Sequence, residues 1–303
     1  MQPVWIVLAL AAGTLQVLRN ALAQRLGRNV PHALNAWARF TFNLPFTATL
    51  LCVFALVWGW PALDASFWGW TAACAATQTT AHLCFVAALR HLPFQRTVVL
   101  HKLEVAMAPL LGVLLFAEFP SASGWLGIGM CAAGAVALNA ARPGAALHHV
   151  LRLERGAWLA LGSGLGVALA SFCLKQACEC FLAANGAGES RHLQAAVHAL
   201  VHAAWMQAAV LTAWLLWRER GAFAALRGRL GECVRFGAAS AACSLCWFWA
   251  YSLALVAYVK ALGQVELVVA ACYSHFVLRE GGVFRQLPAI VLVLAGILTV
   301  LLG

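Results

Sequence analysis

One pattern occurs twice in this chain of 303 residues, the second time 162 positions after the first. Lys102-Leu103-Glu104-Val105 is answered by Gln264-Val265-Glu266-Leu267, Ala117-Glu118 by Arg279-Glu280, and Ala133-Gly134 by Ala295-Gly296. In both copies the first glutamate stands inside an apolar stretch, the second closes that stretch, and the small pair lies in the next one. An acid in the middle of a membrane helix costs about 2.5–3.5 kcal/mol on insertion scales, and such groups face a bundle interior or an aqueous cavity. A chain that carries this cost twice at equivalent places is constrained to a two-fold arrangement in a membrane.

Composition agrees. Hydrophobic residues make up 63% of the chain and charged residues 10%, against roughly 25% charged in soluble domains. Only lipid solvates apolar surface on that scale. Runs of about 20 apolar residues are long enough to span. Ten occur, near 3–21, 36–58, 67–89, 95–117, 124–141, 157–178, 194–217, 234–256, 260–278 and 287–302. The first lacks a basic leader and reads as a retained helix. The net charge of +10 does not point to nucleic acid, because the arginines sit in short loops between apolar runs and form no basic face. Cys243-Ser244-Leu245-Cys246 and Cys178-Glu179-Cys180 have metal-like spacing, but neither has a second pair, so the eleven cysteines read as packing residues. No metal and no cofactor are expected.

The longest polar break, residues 142–155, separates a first repeat, 1–141, from a second, 156–303. Trp5 to Gly13 resembles Trp158 to Gly166 at an offset of 153, so the second copy gains about nine residues, assigned to the loop around Asn185–His192. Five is odd, so the second copy enters the bilayer upside down. The expected fold is therefore an all-α integral membrane protein of ten transmembrane helices arranged as two inverted five-helix repeats, with its substrate site near the midplane. Loops on one side carry Arg25, Arg28, Arg90, Arg96, Arg142, Arg218, Arg227 and Arg229, among others; the other side has Arg191 and, at a helix end, Lys260. The positive-inside rule then puts both termini outside the cytoplasm.

The candidate substrate or proton pathway rests on the ionisable and polar residues within the runs: Glu104, Glu266, His101, Arg39, Gln78, Gln207, Trp37 and Trp247. Glu104 and Glu266 either line a central cavity or act as hydrogen-bonded structural acids; His101 shares a helical face with Glu104. Lys102 points away from Glu104 on its own helix, and Lys260 reads as a snorkelling residue near a helix end. Arg39 reads as an anion-binding or gating residue, or as one that reaches lipid phosphate. Trp205-Met206-Gln207 echoes Trp37-Ala38-Arg39 with glutamine for arginine. Gln78 belongs to a polar patch with Thr79, Thr80 and His82. Trp37, Trp205, Trp247 and Trp249 are the deep tryptophans; Trp58, Trp60, Trp68, Trp70, Trp125, Trp214 and Trp217 suit an interfacial belt. His198 and His202 share a face but lack further metal ligands. Glu118 and Glu280 are expected to favour the start of the helix that follows each. Gly162-x-Gly164-x-Gly166 and Gly127-x-Gly129 read as close-packing surfaces.

Pro109-Leu110-Leu111-Gly112-Val113-Leu114-Leu115-Phe116-Ala117-Glu118, then Leu126-Gly127 and Gly134, with Glu266, Glu280 and Gly296 in the second copy and Arg39 in helix 2, resemble the drug/metabolite transporter superfamily, in particular its ten-helix EamA-type transporters. The resemblance implies a secondary transporter, an exporter in direction, that moves a small amphipathic metabolite such as an amino acid or organic cation by alternating access, with proton coupling an option. It also implies a bacterial cytoplasmic (inner) membrane location, lipid as surroundings, no enzyme activity, and leaves a homodimer open. Two departures stand out. Ala271 takes the place of Pro109 in the second copy, so one-sided kinking is expected, and family members commonly keep both termini in the cytoplasm. The competing readings are a non-transporting membrane subunit and an intramembrane enzyme on lipid-linked substrates; the latter lacks a catalytic set, Asp64 being the only aspartate.

Overall fold

The structure, a computed structural model, describes residues 4–92, 94–140, 154–276 and 283–302. Arg279, Glu280 and the 142–153 part of the connecting segment lie outside the described residues. Those described form helices and no strand. Backbone polar groups in lipid must be satisfied internally, which a helix does within one segment.

The helices are α1 (Val4–Gly27), α2 (His32–Thr41), α3 (Leu44–Trp58), α4 (Ala65–Ala88), α5 (Phe94–Lys102), α6 (Glu104–Leu115) and α7 (Ala122–Ala140), then α8 (Arg155–Asn185), α9 (Glu189–Arg218), α10 (Leu230–Leu253), α11 (Val256–Leu262), α12 (Val265–Phe276) and α13 (Val283–Leu302); a 3-10 turn, Arg220–Leu226, precedes α10. Among the described residues seven segments are long and apolar enough to cross a membrane: Val4–Gly27, His32–Trp58, Arg96–Leu115, Arg155–Asn185, Ser190–Arg218, Leu230–Leu253 and Val256–Tyr273. Ala122–Leu138 and Gln286–Leu302 are apolar but shorter.

Three of the crossing segments are interrupted. His32–Trp58 breaks at Phe42 and Asn43, just before Pro45, whose ring excludes the carbonyl four residues back and whose nitrogen has no proton. Arg96–Leu115 breaks at Leu103, and Val256–Tyr273 at Gly263 and Gln264. The expectation of one-sided kinking fails here. The second copy breaks without a proline, and the break in the first lies six residues upstream of Pro109 (109 − 103). Across the break Leu103 N–H bonds to the Leu100 carbonyl at 3.3 Å and Gln264 N–H to Ala261 at 3.1 Å, tightened three-residue bonds in place of four-residue ones.

The chain forms two compact units, residues 1–79 with 173–253 and residues 80–172 with 254–303, so each takes segments from both sides of the 142–155 connection. In the first, α1 packs along α10, and α9 along α2 and α3. Leu26, Leu34, Leu215, Leu226, Cys233 and Phe236 fill one end of this unit. Gly237 is needed there, because a Cβ would stand 2.1 Å from the Phe42 carbonyl oxygen at the α2–α3 break.

In the second unit α7 and α13 form the most extensive helix pair. Their backbones meet: a Cβ on Gly127 would come within 2.7 Å of the Gly296 carbonyl oxygen, and one on Gly296 within 2.7 Å of that of Gly127. A Cβ on Gly134 would stand 2.6 Å from the Val293 side chain and 3.1 Å from the Ala289 carbonyl oxygen, whereas Gly129 has nothing within 4 Å. Small residues allow this approach, which is how helices gain packing where there is no water to expel. The glycines of both duplicated Ala-Gly pairs therefore lie at one seam, Gly296 against Gly127 and Cys131 and Gly134 against Val293 and Ala289. Gly164 of α8 takes a similar role at the α5–α6 break, with a would-be Cβ 2.6 Å from the His101 carbonyl oxygen; Gly162 is open.

Glu118 reaches a helix start in the opposite sequence copy. Its Oε2 accepts the Val256 N–H at 2.9 Å, so it caps α11. The turn before it puts Ala117 at φ 52°, and the Glu118 N–H returns to the Gly112 carbonyl at 3.0 Å to finish α6.

Candidate functional site

Both breaks in the second unit occur at the duplicated acids. Glu104 is the first residue of α6 and Glu266 the second of α12. A helix start carries unpaired N–H groups and the positive end of the helix dipole, so a carboxylate there is favoured. That local preference places each acid at a half-helix N-terminus inside an otherwise apolar segment.

The lysines complete the arrangement. Lys102 Nζ donates to Glu266 Oε2 at 3.0 Å, and Lys260 Nζ to Glu104 Oε2 at 3.3 Å. Each ion pair joins the first sequence copy to the second, so the four groups form a crossed set that sums to zero charge. Lys260 is 4% exposed and does not snorkel, contrary to the expectation above. Glu104 and Glu266 are each buried as well. At such separations the Coulomb attraction is about 5 kcal/mol per pair at an effective dielectric of 20. Much of it offsets the cost of removing the ions from water. The set thus fixes which parts of α5–α6 and α11–α12 lie together more than it adds stability.

His101, at the end of α5, places Nδ1 3.0 Å from Ser163 Oγ of α8 and packs edge-on against Phe85 with ring centroids 5.0 Å apart. Its partner is therefore a hydroxyl.

The remaining candidates lie in the first unit. Gln207 Nε2 donates to Gln78 Oε1 at 2.7 Å, bringing those two residues together. Trp37 donates through Nε1 to Thr212 Oγ1 at 2.7 Å and packs edge-on against Phe42 and Phe223. Trp247 donates to Gln16 Oε1 at 3.3 Å and stacks on Tyr251. Trp205, expected to be deep, is 58% exposed; its side of α9 faces outward. Arg39 lies over the Phe40 ring at 5.0 Å. His198 and His202 stack on each other at 5.8 Å amid Phe67, Trp68 and Phe181.

Sequence reasoning missed Lys102 and Lys260 as partners of the acids. A single-helix projection compares residues on one helix, and both pairs cross between helices. The signal available was the charge beside the two duplicated acids: the two lysines and two glutamates nearest those breaks cancel. Arg19, 8% exposed in α1, was also missed.

Compared with known proteins, the whole chain superposes on a solved structure described only as a crystal structure of a protein, with a TM-score of 0.74 at 15% identity over 99% of this chain and 96% of that one. At that identity the likeness establishes fold alone. No curated protein matches the sequence. Residues 3–140 match the model of the EamA-like transporter family, a family of membrane transporters and not of enzymes. Over that segment, just under half of the chain, the sequence is similar to the EamA-like transporter family, of the drug/metabolite transporter superfamily.

Proposed function

We propose that the protein is a secondary transporter that exports a small amphipathic metabolite across a bacterial cytoplasmic membrane by alternating access between two inverted five-helix repeats. The observation that carries this reading is the pair of interrupted segments, each with an acid at its half-helix start and each tied to the other copy by a lysine. Discontinuous membrane helices of this kind, at equivalent places in two repeats, mark the moving substrate region of secondary transporters. A merely structural ion pair would not need a broken helix beside it.

The crossed pairs also bear on the substrate. Both acids already hold a cation from the protein, which favours an amino acid over a simple organic cation. Proton coupling would proceed through release of one lysine from its acid, so it belongs to the same four groups. The test is counterflow in proteoliposomes with the purified protein, using a panel of amino acids and quaternary amines. Saturable exchange that Glu104→Gln abolishes while the protein remains folded supports the reading. Absence of flux for every probe from a well-folded, ligand-free sample overturns it in favour of a non-transporting subunit.

A further inference from the structure

The helix that carries Lys260 to the ion-pair site is the shortest α-helix among the described residues. α11 has seven residues, Val256–Leu262. A helix of that length is placed by what it packs against more than by its own hydrogen bonds. Three polar contacts from α6 and the turn after it hold α11. At its start the Val256 N–H donates to Glu118 Oε2 at 2.9 Å. In its first turn the Tyr258 phenol oxygen accepts the Ser121 N–H at 2.8 Å and lies 3.1 Å from Ser121 Oγ. Two residues on, Lys260 Nζ donates to Glu104 Oε2 at 3.3 Å.

These contacts are not interchangeable. Residues two apart stand about 200° from each other around a helix, so Tyr258 and Lys260 grip α11 from nearly opposite sides. Glu118 holds it along its axis. Together they fix both the depth and the rotation of a helix too short to fix either alone.

The surroundings are shaped around the phenol. Tyr258 is 6% exposed. Ser121 Oγ accepts the Gly124 N–H at 3.0 Å, which joins the phenol's partner to the start of α7. A Cβ on Gly124 would stand 2.6 Å from Tyr258 Cε1 and closer still to its phenol oxygen, so a glycine is needed at that point. The turn also holds Ala117 at φ 52°. Backbone in that region persists where the surrounding contacts over-determine it. A phenylalanine would fill the same volume without a hydroxyl to satisfy. The hydroxyl therefore serves direction, and direction matters to Lys260. Its flexible stem holds no geometry of its own, whereas a working site is held to within about 0.5 Å.

We propose that Tyr258 is a positioning residue of the ion-pair site: clasped to Ser121, it sets the turn of α11 that delivers Lys260 to Glu104. On this reading α6, the turn 116–121 and α11 travel as one body, and the clasp stays shut through the transport cycle. The cycle itself rests on the transporter reading; the positioning of Lys260 does not, and is measured without flux.

The experiment is a thermal-melting cycle on the purified full chain in detergent. Tyr258→Phe is measured in the native chain and in the Glu104→Gln/Lys260→Met double variant, which keeps the clasp but has no ion pair to position. The fall in melting temperature is at least about twofold larger in the native chain, because there the phenol's loss also loosens the pair. Equal falls in the two backgrounds mean that the phenol ties down the turn and nothing more, and overturn the proposal. Ser121→Ala, taken through the same cycle, decides the question if Tyr258→Phe does not fold. In proteoliposome counterflow with labelled alanine and choline, Tyr258→Phe raises the half-saturating concentration about tenfold and leaves the maximal exchange rate within about twofold. A faster maximal rate at unchanged half-saturation means that the clasp opens in each cycle, which overturns the one-body reading. If the native chain exchanges neither probe, the transporter reading loses its support and the melting cycle alone decides the role of Tyr258.

Discussion

Glu104→Gln keeps the side-chain size and removes one charge from the crossed set. Lys260, 4% exposed and 3.3 Å from Glu104, is then left as a buried ammonium without its carboxylate. Breaking a buried pair in this way costs about 3–5 kcal/mol. Lys260→Met leaves the carboxylate stranded and costs a similar amount. The double variant carries neither charge, so both the attraction and the desolvation cost vanish, and its stability is expected within about 1 kcal/mol of the native chain. If the singles each lose about 4 kcal/mol and the double about 1, the coupling is about 7 kcal/mol. That is of the order of the 5 kcal/mol Coulomb figure, with the stranded charges adding the excess. The assay is heat-induced loss of the monodisperse peak in detergent, followed by fluorescence-detected gel filtration. Both singles melt well below the native protein and the double recovers most of the difference. A double variant as unstable as the two singles combined would refute the pairing, since additive losses mean the groups do not meet.

Three further outcomes follow from the packing. Gly164→Ala places a methyl 2.6 Å from a backbone oxygen that cannot yield, so it is expected to cost about 1–3 kcal/mol. Gly162→Ala, in open space on the same helix, gains up to about 1 kcal/mol; melting of the two variants side by side checks the contrast. Gly127→Ala, directed at the Gly296 carbonyl 2.7 Å away, destabilises the α7–α13 seam while Gly129→Ala is silent, again read by thermal melting. Glu118→Ala removes the cap on the Val256 N–H and lowers stability by about 1–2 kcal/mol. Glu118→Gln, which keeps an acceptor oxygen, recovers part of that loss.

The membrane class was legible from the chain because it depends on run length and composition, which any bilayer reads in the same way. The close-packing role of Gly127 and Gly164 could be anticipated for a related reason: small residues inside apolar runs have few other uses. Gly129 and Gly162 show the limit, since one-dimensional spacing does not say which side of a helix meets a neighbour. The break at Gly263 was illegible because no proline announces it. The partners of Glu104 and Glu266 lie 156 and 164 residues away along the chain, and only folding brings them together. Glu118 shows the same effect at a helix start: α7 is the next helix in sequence, and the start that it caps is that of α11.

The crossed lysine–glutamate set has a consequence for biogenesis. When Lys102 and Glu104 leave the ribosome, their partners Glu266 and Lys260 have yet to be translated. At roughly 5–20 residues per second, the 164 residues from Lys102 to Glu266 (266 − 102) take on the order of 8–33 seconds. For that interval the fourth apolar segment must wait in the translocon, at a water-filled edge or beside an insertion chaperone, because neither charge can settle in hydrocarbon alone. The nascent chain is therefore most exposed to quality-control proteolysis between the synthesis of its first and last charged partners.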